Sequence, residues 1–272
     1  MQRRLINTGK SVQIEAILDG SEHDEAVIFV PGLGARADQF IDQVAFFSDL
    51  YRTVAVSLRG HGRSTYPIPP EPSDFSLESL ALDLQRLTDQ IGVTSAHIVG
   101  NSTGGLAGYA LLATAPEKVR SLTTFGTAAE LHTGPLGRVV VWVDRLLGPG
   151  GDAWLAARTV SKNPATAAKV AEMIRSTPKP ALVNLRRNLL DYDFLPVLRG
   201  HPDVPVLLLQ GEEDHGINRV LKTTLDALED RANGKIERIS EAGHFLNLDQ
   251  PDAFNGTLLN FLRTVTGKDT TS

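Results

Sequence analysis

Ser102 stands in Gly100-Asn101-Ser102-Thr103-Gly104, immediately after the apolar run Ala96-His97-Ile98-Val99. A serine hydroxyl is a weak nucleophile until a neighbouring base takes its proton, and that base needs a third group to orient it. G-x-S-x-G between a strand and a helix of small residues supplies such a serine, because a turn this sharp leaves the side chain exposed at its tip. The base candidate is His244, in Glu241-Ala242-Gly243-His244-Phe245. It lies in the loop after the last strand and before the last helix, with a flanking glycine. The acid candidate is Asp214, in Gly211-Glu212-Glu213-Asp214, at the carboxyl end of the apolar run 205–209, where ligands and reactive groups gather in open parallel sheets. Glu212 and Glu213 read as solvated. The strand before it, ending Thr124-Phe125-Gly126-Thr127, offers no carboxylate until Glu130. A tetrahedral intermediate also needs backbone N–H donors. Thr103, after the serine, supplies one and Leu33, in Pro31-Gly32-Leu33-Gly34, the other; losing one such donor typically costs ~10²–10³ in rate.

The elements that position these residues follow from periodicity. Residues 2–6 and 11–17 read as a short antiparallel pair. Continuous apolar runs at 26–30, 53–56, 96–99 and 121–125 alternate with helical periods at 37–49, 77–91 and 104–115. That alternation predicts a parallel sheet covered on both faces. Between Thr127 and Asp203 only helical signal is found, at about 137–148, 152–160, 164–176 and 180–192. A strand at 205–209, a helix at 217–230, a strand at 235–239 and a helix at 251–265 complete the plan. The expected organisation is a core of residues 1–127 and 204–272, with a helical cap of residues 128–203.

Composition narrows the function class. A net charge of −5, with Lys and Arg scattered, offers no basic stripe for nucleic acid or an anionic membrane. No apolar run approaches the ~18 residues of a membrane helix, and the first residues carry no apolar stretch of secretory type. With no cysteine there are no disulfides, thiolate–metal sites or thiol nucleophile. No H-E-x-x-H or H-x-H-x-D-H occurs, which disfavours a zinc hydrolase. The expectation is a cytoplasmic protein, free of cofactor and metal, acting on a small molecule; its oligomeric state is not readable.

The order Ser102, Asp214, His244, each at its own strand end, resembles the α/β-hydrolase fold family, in its subgroup with a helical cap after the sixth strand. Arg59-Gly60-His61-Gly62-Arg63-Ser64 and His244-Phe245-Leu246-Asn247-Leu248-Asp249-Gln250-Pro251 resemble further stretches of that family, and the likeness covers residues 10–265. It implies a mostly parallel sheet of about eight strands flanked by helices. It also implies a cofactor-independent serine hydrolase of a small carboxylic ester or lactone, working through an acyl-enzyme on Ser102. Two departures stand out. Pro31-Gly32 replaces the usual His-Gly, and Ser57 stands where relatives usually carry Asp, so altered local hydrogen bonding is expected there. A serine at the elbow argues against the dehalogenases and epoxide hydrolases of this fold, which use aspartate.

Other readings use the same residues. Gly104-Gly105 after the serine resembles carbon–carbon hydrolases of ring-cleavage dienones, although the oxyanion loop lacks their extra glycines. A non-catalytic ligand receptor on the fold, or perhydrolase activity, needs no different residues. Gly32-Leu33-Gly34-Ala35-Arg36-Ala37 imitates a dinucleotide fingerprint, but the hydrolase order explains the same glycines and no tyrosine has a lysine four residues on. In the cap, Trp142, Trp154, Met173 and Leu190 are the candidate substrate-binding residues. Its many apolar groups suggest an acyl or otherwise hydrophobic substrate portion. Arg138, Arg145, Arg186 and Arg187 read as solvated, with a substrate carboxylate as their alternative partner.

Overall fold

The computed structural model describes residues 1–9, 11–134, 149–156 and 158–267. Strand β3 (Ala26–Val30) is buried along its whole length. Alternate side chains enter two different cores: Ala26, Ile28 and Val30 face one, Val27 and Phe29 the other. An uninterrupted apolar run is what a strand covered on both faces requires. Phe29 has no exposed surface, and its truncation to alanine should cost ~3–5 kcal/mol.

β3 pairs in parallel with β4 (Arg52–Val56) and β5 (Ala96–Asn101). β6 (Val119–Phe125), β9 (Val206–Gly211) and β10 (Gly234–Ile239) extend the parallel part. β1 (Gln2–Asn7) and β2 (Gln13–Asp19) form an antiparallel edge, giving eight strands in the order β1-β2-β4-β3-β5-β6-β9-β10. Helices α1 (Ile41–Phe47) and α9 (Pro251–Thr266) cover one face, through Val44, Phe47, Phe254 and Leu258. Helices α2 (Leu77–Gln90) and α3 (Thr103–Thr114) cover the other. This is the architecture read from the sequence, with the strands displaced by at most two residues at their ends.

The chain between β6 and β9 departs further from expectation. Residues 149–156 are helical, followed by α4 (Pro164–Ser176), α5 (Lys179–Arg187) and α6 (Leu195–Gly200). Asn163 caps α4, its side chain accepting from Ala165 N–H at 2.9 Å. The helix expected over 180–192 ends at Arg187. Residues beyond it form β8 (Asp191–Asp193), which pairs antiparallel with β7 (Glu130–His132). The helix expected over 217–230 is two, α7 (His215–Asn218) and α8 (Lys222–Glu229).

Apolar packing and charge pairing both tie this inserted segment to the core. Val170, Met173, Ile174 and Leu182 share an apolar cluster with Ala35 and Phe245 of the core. A chain of alternating charges runs Glu15–Arg3–Asp38–Arg36–Glu172, with contacts of 2.7, 2.7, 3.0 and 2.9 Å, from the N-terminal hairpin to α4. Buried Glu15 also resolves the departure at Ser57. Its Oε2 accepts from Ser57 Oγ at 2.7 Å and Arg63 N–H at 3.0 Å, while Ser57 Oγ accepts from Ala37 N–H at 2.9 Å. A carboxylate from β2 thus serves the turn after β4.

Candidate active site

Ser102 links β5 to α3 with φ +50° and ψ −117°. A non-glycine residue in this region is strained and persists only where its surroundings fix it. Ser102 N–H donates to Phe125 C=O at 2.8 Å, and its own C=O accepts from Gly105 N–H at 2.9 Å and Thr127 Oγ1 at 3.0 Å. The flanking residues must be glycine, because a Cβ at Gly104 would overlap the Val30 carbonyl and one at Gly100 the backbone of Gly104. Pro31-Gly32-Leu33 runs alongside, so close that a Cβ on Gly32 would lie 3.2 Å from Ser102 Cβ. The N–H of Thr103 belongs to the first turn of α3, whose donors have no acceptor within the helix.

His244 and Asp214 meet across two strand ends. His244 Nδ1 lies 2.7 Å from Asp214 Oδ2. Asp214, 8% exposed, also accepts from Ile217 N–H through Oδ1 at 3.4 Å. Burial pushes its carboxyl up, but the hydrogen bond and charge of His244 outweigh that and hold it below its ordinary value. The neighbouring acids play no part in this contact: Glu213 pairs with Lys162 at 2.7 Å and Glu212 is exposed. His97 is buried with its Nδ1 2.7 Å from Ser121 Oγ, and buried His61 contacts the Arg59 carbonyl at 3.0 Å, so both sit in structural roles.

Behind Ser102 and His244 lies a set of buried carboxamides that the sequence reading missed. Asn101 Nδ2 donates to the His244 carbonyl at 3.0 Å, and its Oδ1 accepts from Gln39 Nε2 at 3.1 Å. Gln39 also donates to Asn247 Oδ1 at 3.1 Å. Asn247 returns bonds to the Gln39 carbonyl at 2.9 Å and to Gln43 Oε1 at 3.0 Å, and Gln43 reaches Asn255 at 3.2 Å. These neutral groups join the serine turn, the helix after the Leu33 loop and the segment after His244. Five scattered Asn and Gln carry no local signal, since their partners lie up to 212 residues away.

A cavity of about 370 Å³ opens onto Ser102, His244, Gly32 and Leu33. Asp152, Leu155, Ala156, Thr159 and Val160 line its far wall, a spacing of three, four, seven and eight that marks one helical face. Ile174, Leu182, Arg186 and Phe245 complete it. The expected substrate-binding residues that the structure describes do not line this cavity. Trp154 falls off that face, is 58% exposed and packs against the Arg158 guanidinium. Met173 is turned into the cluster below the cavity while its neighbour Ile174 faces the cavity. Leu190 precedes β8 away from the cavity wall, its carbonyl taken by Thr133. Trp142 lies outside the described residues. The sequence signal for this wall is spacing along the helix.

Among the described residues no group of acidic or histidine side chains could hold a metal ion, and no helix is long and apolar enough to cross a membrane. The chain is 25% identical over 257 residues to 3-oxoadipate enol-lactonase 2 of Acinetobacter baylyi, covering 91% of this chain and 92% of that protein. Its fold matches the enol-lactonase of Burkholderia xenovorans LB400 with a TM-score of 0.82, at 23% identity and covering 92% and 96% of the two chains. It matches a thermophilic esterase of Thermogutta terrifontis with 0.83, at 21% identity and covering 97% and 99%. The model described as the alpha/beta hydrolase family matches residues 27–257, and the chain belongs to that family.

Proposed function

We propose that this protein is a serine hydrolase of small carboxylic esters or lactones, with Ser102, His244 and Asp214 as its triad. The observation that carries this reading is the 2.7 Å His244–Asp214 contact at the cavity onto which the strained Ser102 opens. Ser102 Oγ attacks the carbonyl carbon as His244 Nε2 takes its proton. Asp214 holds the Nδ1 side of the ring and stabilises the imidazolium. The N–H groups of Leu33 and Thr103 hold the oxyanion. Collapse of the intermediate breaks the carbon–oxygen bond, and His244 gives its proton to the leaving oxygen. Water then attacks the acyl-enzyme, passes a proton to His244, and Ser102 recovers its own. Residues 128–203 act as a cap whose inner wall meets the acyl or lactone part. The similarity to an enol-lactonase supports a cyclic ester among the substrates.

The test is hydrolysis of p-nitrophenyl esters of increasing acyl length, and of simple lactones, by wild type and Ser102→Ala in parallel. Turnover by wild type that disappears in the variant is expected. Comparable turnover in Ser102→Ala would exclude the covalent mechanism.

A further inference from the structure

The eight-stranded sheet ends at β10, and among the described residues no strand pairs with its outer side. Two bonds that flank its ladder fix which way each β10 peptide points. Val206 N–H donates to the Asn233 carbonyl at 2.9 Å, and Glu212 N–H donates to the Ile239 carbonyl at 3.1 Å. Along a strand the N–H and C=O of one residue point to the same side, and successive residues alternate. Residues 233, 235, 237 and 239 therefore turn their backbone groups to β9, while Ile236 and Arg238 turn theirs outward. Outward groups of this kind are a template for a further strand.

The side chains decide which strand fits. Lys235 and Glu237 are exposed on the face packed by α9, where with Thr257, Asn260 and Thr264 they line a groove of about 170 Å³. Ile236 points to the opposite face and packs against the other core. A second copy meeting β10 across a two-fold axis runs antiparallel to it, and residues directly opposite must turn their backbone groups the same way. Each such register is therefore centred on one residue. Centring on Lys235, Glu237 or Arg238 sets that charge against its own copy. Centring on Gly234 or Ile239 pairs only one end of the strand. Centring on Ile236 lets it exchange N–H···O bonds with its own copy and sets each Lys235 opposite the Glu237 of the other copy, twice. Those two pairs fall between the hydrogen-bonded positions, where opposed side chains come closest.

We infer that β10 is a homodimer interface, in which two copies pair antiparallel about Ile236 and join their sheets into one. Charges on an edge strand discourage pairing with unrelated strands. Here their order, Lys235 then Glu237, is complementary to itself, so they admit a second copy in one register and oppose the others. No residue of β10 lines the cavity at Ser102, so this interface is independent of the hydrolase reading.

The experiment is sedimentation velocity of the full chain over a concentration series reaching the hundred-micromolar range, with far-UV circular dichroism to establish that each variant folds. Wild type is expected to pass from monomer to dimer across the series. Lys235→Glu and Glu237→Lys each set like charges opposite one another twice, and each should weaken association by ~10-fold or more. An equimolar mixture of these two variants restores opposite charges in the heterodimer alone and should recover association to near the wild-type level. A structural defect in either variant would not be repaired by mixing. Arg238→Pro removes an N–H turned outward, a change that edge strands tolerate, and should weaken the dimer while the monomer stays folded. A wild type that remains monomeric throughout overturns the interface. So does a dimer that withstands either charge reversal, or a mixture that associates no better than its components.

Discussion

Asp214 and Asp152 are equally buried, 8% exposed each, and titrate in opposite directions. Asp214, in the core, is held down by a 2.7 Å contact to His244 and an N–H from α7. Asp152, in the inserted segment, meets Arg186 at the longer 3.2 Å, and burial prevails. The core surrounds its carboxylate with groups that stabilise charge. The insertion sets its carboxylate in an apolar wall and leaves it poorly compensated. Equal burial therefore says little about a carboxylate; the partners decide. On the proposed function, the core would carry the reaction and the inserted segment would wall the substrate.

The comparison breaks most sharply if the core side is removed. Ser102→Ala and His244→Ala should each lower kcat by ~10⁴–10⁶, and the double variant should lose little more, because the residues act as one unit. Asp214→Asn should cost ~10³–10⁴ in kcat by leaving the imidazole in the wrong tautomer, and steady-state rates on one ester check all of these. The carboxamide set comes next. Asn101→Leu removes the donor to the His244 carbonyl and should lower kcat by ~10–100-fold with KM changing less, since a small misplacement of reacting groups has that effect.

The two carboxylates also predict opposite responses of stability to pH. The folded-state pKa of Asp214 lies below its unfolded value, so its contribution is present above about 4 and lost as pH falls. That of Asp152 lies above its unfolded value of 3.8, at about 6, so its contribution is present below about 4 and lost as pH rises to 6. Urea unfolding between pH 4 and 7 should show Asp152→Asn losing that decline while Asp214→Asn keeps it. An unchanged profile in Asp152→Asn would remove the contrast. The smallest effect belongs to the exposed end of the charge chain. Glu172→Gln should cost no more than ~1 kcal/mol, and less at high salt.

The sequence revealed the core far better than the insertion. β3 is a continuous apolar run because both its faces are covered, and the serine turn announces itself because only glycine fits at Gly100 and Gly104. Those causes are local. β8 is not: Asp191–Asp193 becomes a strand by pairing with residues about sixty positions earlier, and nothing within it distinguishes it from the end of a helix. The cavity wall differs from expectation for another reason: neither Trp154 nor Met173 lies on it, and the face at 152, 155, 156, 159 and 160 is set by helical spacing. The replacement of a turn aspartate by Ser57 was visible, but its compensation by Glu15, from another strand, was not.

A backbone contact also joins the two sides. His244 N–H donates to the Val160 carbonyl at 2.9 Å, Ser161 Oγ lies 2.5 Å from Asp249, and Gly243 N–H holds the other oxygen of the same carboxylate at 2.8 Å. The end of the cavity's roof is therefore fastened to the loop that carries the imidazole. An outward displacement of residues 158–161 would draw that loop with it, so one wall of the cavity and the imidazole of His244 are mechanically a single piece.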